Sequence, residues 1–116
     1  MITLLLILAL FTKHFVIDFP LQVRYQWSNK GTYGHPGGLL HAGLHGIGTF
    51  MCFYWYAPEA AFYLAWIDAA LHYHIDWAKM NYGNRDITTP AFWNHLGLDQ
   101  MAHQLTYIAI AYFSLQ

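Results

Sequence analysis

The chain has 116 residues, 57% of them hydrophobic, 19% aromatic and only 9% charged, with a formal net charge of −1. Ordinary globular composition carries about 25% charged residues, so these proportions point to a bilayer as solvent, and the lack of a basic field excludes nucleic acid as a partner. Cys52 is the only cysteine, which excludes an internal disulfide, a cysteine-based zinc site and an iron–sulfur cluster and leaves His and carboxylate to hold any metal.

Turn chemistry separates four apolar segments. The first covers residues 2–26 and opens on MITLLLILALF. With no basic region before it and no small-residue cleavage motif after it, that opening reads as a retained membrane helix rather than a removed signal. Pro20 predicts a kink within the segment. A polar, glycine-rich loop with Ser28, Asn29, Lys30, Gly31 and Gly34 to Gly37 leads to the second segment, 38–56. Its Gly43, Gly46 and Gly48 predict close backbone approach between helices. Pro58 suits a first helical position and Glu59 a first turn, starting a third segment over 60–80. Thr88, Thr89 and Pro90 form a cap-then-proline signal before the fourth, 91–113.

Each segment has about the 17 to 25 residues that cross a bilayer, so the expected fold is all-α: one domain, an antiparallel, up-down four-helix transmembrane bundle. Arg24, Lys30, Lys79 and Arg85 flank the two long loops. The positive-inside bias then predicts a multi-pass bacterial inner-membrane protein with its long loops cytoplasmic and both termini outside.

The histidines carry the chemistry. His14/Asp18, His41/His45, His72/Asp76 and Asp99/His103 are each four residues apart, which stacks each pair on one helix face. Random placement of the eight His and five Asp would give roughly 1 to 2 such pairs; Asp68/His72 and His95/Asp99 bring the observed number to six. On the predicted topology all four main pairs lie at one depth, as a shared metal site in a helical bundle requires.

Five imidazoles and three carboxylates exceed the ligand set of one zinc ion. They fit two metals, or one metal with an outer carboxylate–histidine layer. Zinc suits the donors, with iron or manganese open. The Glu and Glu-x-x-His spacing of ferritin-like di-iron sites is absent, only His41/His45 matches the histidine boxes of membrane desaturases, and bis-histidine haem would leave the three Asp unexplained. The alternative is a polar network that only joins helices. His74 lies opposite the His72/Asp76 stripe and suits a surface role, and His35 belongs to a loop. Asp68 and His95 fit either partners of ligands or plain buried hydrogen bonds. Lys79 fits either snorkelling or an anionic group near the metals. Tryptophans and tyrosines at helix ends, such as Trp27, Tyr33, Tyr54, Trp55 and Trp93, read as aromatic belts.

The blocks from His14 to Gln22, Leu40 to His45, His72 to Lys79 and Asp99 to His103 resemble the family catalogued as domain of unknown function 3307, small integral membrane proteins of bacteria and their phages. The resemblance spans essentially the whole chain. It implies that His14, Asp18, Gln22, His41, His45, His72, Asp76, Lys79, Asp99, Gln100 and His103 are the positions that matter, and it implies no settled activity. A looser likeness, in size and His/Asp richness, is to membrane-bound metal-dependent hydrolases.

The expected function is a metal-dependent hydrolase acting on a lipid-borne ester or phosphoester. Its metal ligands would be His14, Asp18, His41, His45, His72, Asp76, Asp99 and His103. Asp76, Asp99 and Lys79 would serve the chemistry, and the expected partners are membrane lipids and a second copy of the chain. Two further readings stand beside it: a small proton or metal-ion transporter or metal-handling protein, and a structural or phage–host interaction protein with a polar core.

Overall fold

The computed structural model describes residues 1–116 and contains five helices: α1 (Ile2–Asp18), α2 (Arg24–Trp27), α3 (Pro36–Tyr54), α4 (Pro58–Tyr82) and α5 (Pro90–Phe113). Proline opens the last three, at positions where its missing N–H breaks no helical bond. His35 caps α3 by accepting from Gly37 N at 3.0 Å, and Thr89 caps α5 by accepting from Phe92 N at 3.3 Å. The cap-then-proline expectation at Thr89-Pro90 therefore holds.

Pro20 does more than kink the first segment. It supplies no N–H, and Leu21 N bonds Val16 O at 3.0 Å instead. The helix stops at Asp18, and the chain re-enters helical geometry only at Arg24. The predicted helix over 2–26 is thus two helices, and the four expected helices are five.

The transmembrane expectation is overturned as well: no helix is long and apolar enough to cross a membrane. The most apolar, α1, has 17 residues, about 26 Å at 1.5 Å per residue against a hydrocarbon core of about 30 Å. The longer α4 and α5 carry Glu59, Asp68, Asp76 and Lys79, and Asn94, Asp99 and Gln100, within their length. These polar groups interrupt segments whose length alone would suffice to cross a bilayer. The predicted bundle in a bilayer, the inner-membrane location and the orientation built on the positive-inside bias go with it. Large apolar side chains nonetheless stand outward on the long helices, among them Leu4, Leu8, Ile47, Trp66 and Leu105.

The four long helices pack in the cyclic order α1, α3, α4, α5, each against two neighbours, and α2 lies on α3. Between α3 and α4 the approach is close: a Cβ on Gly46 would sit 2.9 Å from the carbonyl oxygen of Ala65. A Cβ on Gly48 would come within 3.0 Å of the Lys13 side chain, whereas one on Gly43 would meet nothing within 4 Å. The close backbone approach predicted for all three glycines therefore holds at Gly46, whereas at Gly48 the neighbours are side chains of α1.

The interior has two halves. Leu6 and Leu10 from the start of α1, Phe53 from the end of α3, Ala61 and Leu64 from the start of α4, and Tyr107, Ile110 and Ala111 from the end of α5 form the apolar half. Burying side chains such as Leu10 and Phe53 contributes about 1.5–3 kcal/mol each. The membership also shows that helix direction alternates around the ring. The opposite ends of the same helices form the second half, which is almost wholly polar.

Candidate metal centre

Each long helix sends one pair of side chains, four residues apart, into the polar half: His14 and Asp18 from α1, His41 and His45 from α3, His72 and Asp76 from α4, Asp99 and His103 from α5. All eight are buried, none more than 7% exposed. Their ligand atoms form three groups that could hold a metal ion: Asp18, His41, His45 and His72; His14, His72 and His103; and Asp76, Asp99 and His103. His72 and His103 each belong to two groups. Their imidazoles are stacked, with ring centroids 4.0 Å apart, and His45 stacks on the other side of His72 at 3.5 Å.

The first group converges most closely. Asp18 Oδ1 lies 3.0 Å from His41 Nε2, 2.9 Å from His45 Nε2 and 3.5 Å from His72 Nε2, and the His41 and His72 nitrogens are 3.2 Å apart. Zinc bonds of about 2.0–2.2 Å in a tetrahedron set ligand atoms about 3.3–3.6 Å apart. One of the four spacings lies in that range and the other three fall short of it by 0.1–0.4 Å, so an ion fits once the ligands move apart by a few tenths of an ångström.

Proton accounting points the same way. Gln26 Oε1 accepts from His41 Nδ1 at 3.2 Å, which in a neutral ring leaves a lone pair on Nε2. Burial, with Lys30 nearby, keeps His41 below its usual pKa despite Asp18 and Asp76, and hence neutral near pH 7. That lone pair faces Asp18 Oδ1 and, at 3.4 Å, Asp76 Oδ2. Acceptors facing acceptors at these distances repel, and a cation among them turns repulsion into coordination. His45 is held differently: Lys13 Nζ donates to its Nδ1 at 3.2 Å, so the proton of the neutral ring lies on Nε2, toward Asp18, and must leave before that nitrogen can bind an ion.

Asp18 and Asp76 each belong to one group but turn their two oxygens to different histidines. Asp18 turns Oδ1 to His41, His45 and His72 and Oδ2 to His14, 3.1 Å away. Asp76 turns Oδ2 to His72 at 3.2 Å and Oδ1 to His103 at 3.3 Å. Burial alone would raise both carboxyls, but hydrogen bonds from neighbouring rings, His45 among those on Asp18 and the protonated His103 on Asp76, hold both well below the usual range, so both are anionic. Burial pushes His14 down to about 4. Burial also works against a charged His103, yet its contacts with Asp76 and Asp99 outweigh it and lift the ring to about 9. Asp99 Oδ1, buried and 3.5 Å from His103 Nε2, has no hydrogen-bond partner. Its one charged neighbour is the His103 ring, at the edge of the third group.

Around these residues lies a layer that the spacing does not reveal. Lys13 Nζ reaches Asp68 Oδ2 at 2.5 Å as well as His45, and Thr49 also donates to Asp68, at 2.6 Å. Asp68 therefore touches the centre only through Lys13. Tyr107 OH lies 2.9 Å from His14 Nδ1, and Gln100 Oε1 3.0 Å from His14 Nε2. Lys30, expected in a solvated loop, is buried with its Nζ 2.9 Å from Asp76 Oδ2. Lys79 donates to Asp99 Oδ2 at 3.0 Å, and Gln22 donates to the Asp18 backbone carbonyl. The one sequence sign for Lys13 is that it is the only lysine or arginine of an apolar helix; nothing in the spacing marks Gln26, Lys30 or Tyr107.

The remaining candidates fall outside. His95 accepts from Asn84 N at 2.8 Å and so fastens the α4–α5 loop. His74 is exposed, bonded to Tyr33 OH at 2.9 Å. His35 is the α3 cap.

The fold and site define a class: an all-helical protein whose four long helices enclose a buried His/Asp cluster able to hold a metal ion. Within that class the chain belongs to the family described as protein of unknown function (DUF3307), whose profile matches residues 5–116. Neither a curated protein nor a solved structure matches the chain.

Proposed function

We propose that this is a metal-dependent hydrolase. Asp18, His41, His45 and His72 hold one divalent ion, and His14, Asp76, Asp99 and His103 hold or steady a second, with Asp18 and Asp76 between them. The observation that carries the reading is the convergence of three Nε2 atoms within 3.5 Å of one carboxylate oxygen. A His₃Asp set of this kind suits zinc, with iron or manganese as alternatives. A bound ion would lower the pKa of water and polarise the scissile ester or phosphoester bond.

The chain supplies the proton path. Asp99 borders an open hollow and has a carboxylate oxygen without a partner, which suits it as general base. It takes a proton from water as the water oxygen bonds the phosphorus or carbonyl carbon, and returns it to the leaving oxygen as the ester bond breaks. Lys79 holds Asp99 in place. With no membrane-spanning helix, no position in a bilayer favours a lipid-borne substrate over another ester.

A second reading, metal storage or handling, is favoured by the burial of His41, His45 and His72, none of which lines either hollow beside Asp99 and Lys79. Purification without nickel resin, metal analysis, and assay against chromogenic phosphomonoesters, phosphodiesters and carboxylic esters with zinc, manganese or ferrous iron tests the proposal. Turnover that Asp99→Asn abolishes while metal content stays supports a hydrolase. Stoichiometric metal with no turnover on any ester leaves the storage reading.

A further inference from the structure

Beside the centre is a cleft of about 360 Å³, within the roughly 300–1,000 Å³ range of small-molecule sites. The whole chain has five Lys and Arg residues. Lys30, Lys79 and Arg85 all line this cleft, and no carboxylate does. They come from three parts of the chain: the loop before α3, the last turns of α4 and the α4–α5 loop. Their convergence is a product of the fold and not of a basic run in sequence.

Two of the three cations tie the cleft to the centre. Lys30 and Lys79 pair with Asp76 and Asp99, whereas Arg85 is exposed and pairs with no carboxylate. Both ammonium groups are turned to those carboxylates, so they raise the potential behind the cleft, and more so if Asp76 and Asp99 give their charge to metal. Gln22 adds a polar handle. Its Nε2 is committed to the Asp18 carbonyl, and its Oε1 is buried without a partner just behind the cleft lining to which Gln22 belongs. Lys79 and His95 also line the neighbouring hollow that Asp99 borders.

We infer that this cleft binds the phosphate group of the substrate, so that the bond cleaved is a phosphoester. The inference rests on the hydrolytic reading of the adjacent centre and narrows it. Arg85 is the free anchor: its planar fork matches two phosphate oxygens. Lys30 and Lys79, paired with Asp76 and Asp99 just behind the lining, add positive potential at short range. A carboxylic ester carries no charge that would require three cations, whereas a phosphoester keeps its charge in substrate and product alike.

Inorganic phosphate, the product common to phosphomonoesters, is the probe. It is titrated calorimetrically into the full chain as purified, at fixed ionic strength, with metal content measured on the same samples. One saturable site is expected. Arg85→Ala should weaken it about tenfold, the order of one charged hydrogen bond, Arg85→Lys should recover part of the loss, and Arg24→Ala, an exposed cation away from the cleft, should change nothing. Absence of saturable binding overturns the inference, as does equal weakening by Arg85→Ala and Arg24→Ala. The two readings fail separately. A chain that holds metal but binds no phosphate removes the cleft and leaves the centre, and one that binds phosphate through Arg85 without metal does the reverse.

Discussion

Removing His72 is the most informative single perturbation of the centre. Its Nε2 lies within 3.5 Å of Asp18 Oδ1, His41 Nε2 and Asp76 Oδ2, and its ring stacks between those of His45 and His103. Losing a supporting partner of a metal ligand costs about 10- to 100-fold in affinity, so His72→Ala, which deletes a ligand, should cost at least 100-fold. An ion present at 100 times its Kd stabilises the native state by about 2.7 kcal/mol; after a 100-fold loss of affinity the same concentration contributes about 0.4 kcal/mol. At about 4 °C per kcal/mol for a chain of this size, a chelator should lower the wild-type Tm by about 10 °C and that of His72→Ala by about 2 °C. The assay is a thermal melt of both proteins with and without chelator in one buffer. Equal chelator shifts in the two proteins, or no shift in either, would refute the reasoning: the histidines would then be hydrogen-bond partners and no more.

Lys13→Met leaves Asp68 buried beside Thr49 without its cationic partner, and should cost about 3–5 kcal/mol in chemical denaturation; a loss below about 1 kcal/mol would mean that the ion pair is not maintained. Tyr107→Phe removes the hydroxyl from His14 Nδ1 and should lower metal affinity about 10- to 100-fold with little change in the apolar half, as competition with a chromogenic chelator would measure. Two glycines of α3 should respond in opposite ways. Gly46→Ala drives a Cβ against the Ala65 carbonyl and should destabilise by about 1–3 kcal/mol, while Gly43→Ala enters open space and should stabilise by up to about 1 kcal/mol through helix propensity; urea midpoints of the pair decide.

The helix-spaced pairs were legible in the sequence because a period of four is a property of the helix itself, and the three groups in the structure contain no residue outside those eight positions. Tertiary reach was not legible. Lys13 and Lys30 extend flexible chains to Asp68 and Asp76, 55 and 46 residues away, and no local period encodes where a lysine ends. Gln26 reaches His41 only because Pro20 breaks the first segment and lets α2 fold back onto α3. The membrane reading failed for the converse reason. Composition averages over a chain, whereas crossing a bilayer depends on how the polar residues are distributed along each helix, and here they divide every apolar run.

The central claim is that the four pairs hold metal. Its most direct test is a crystal of protein purified without nickel resin, with diffraction recorded on both sides of the zinc, iron and manganese absorption edges. The account predicts an anomalous peak about 2.0–2.2 Å from Nε2 of His41, His45 and His72 and from Asp18 Oδ1, with a second peak or an ordered proton network at His14, Asp76, Asp99 and His103. A well-ordered structure with no anomalous peak, in which those nitrogens hydrogen-bond Asp18 directly, would contradict it.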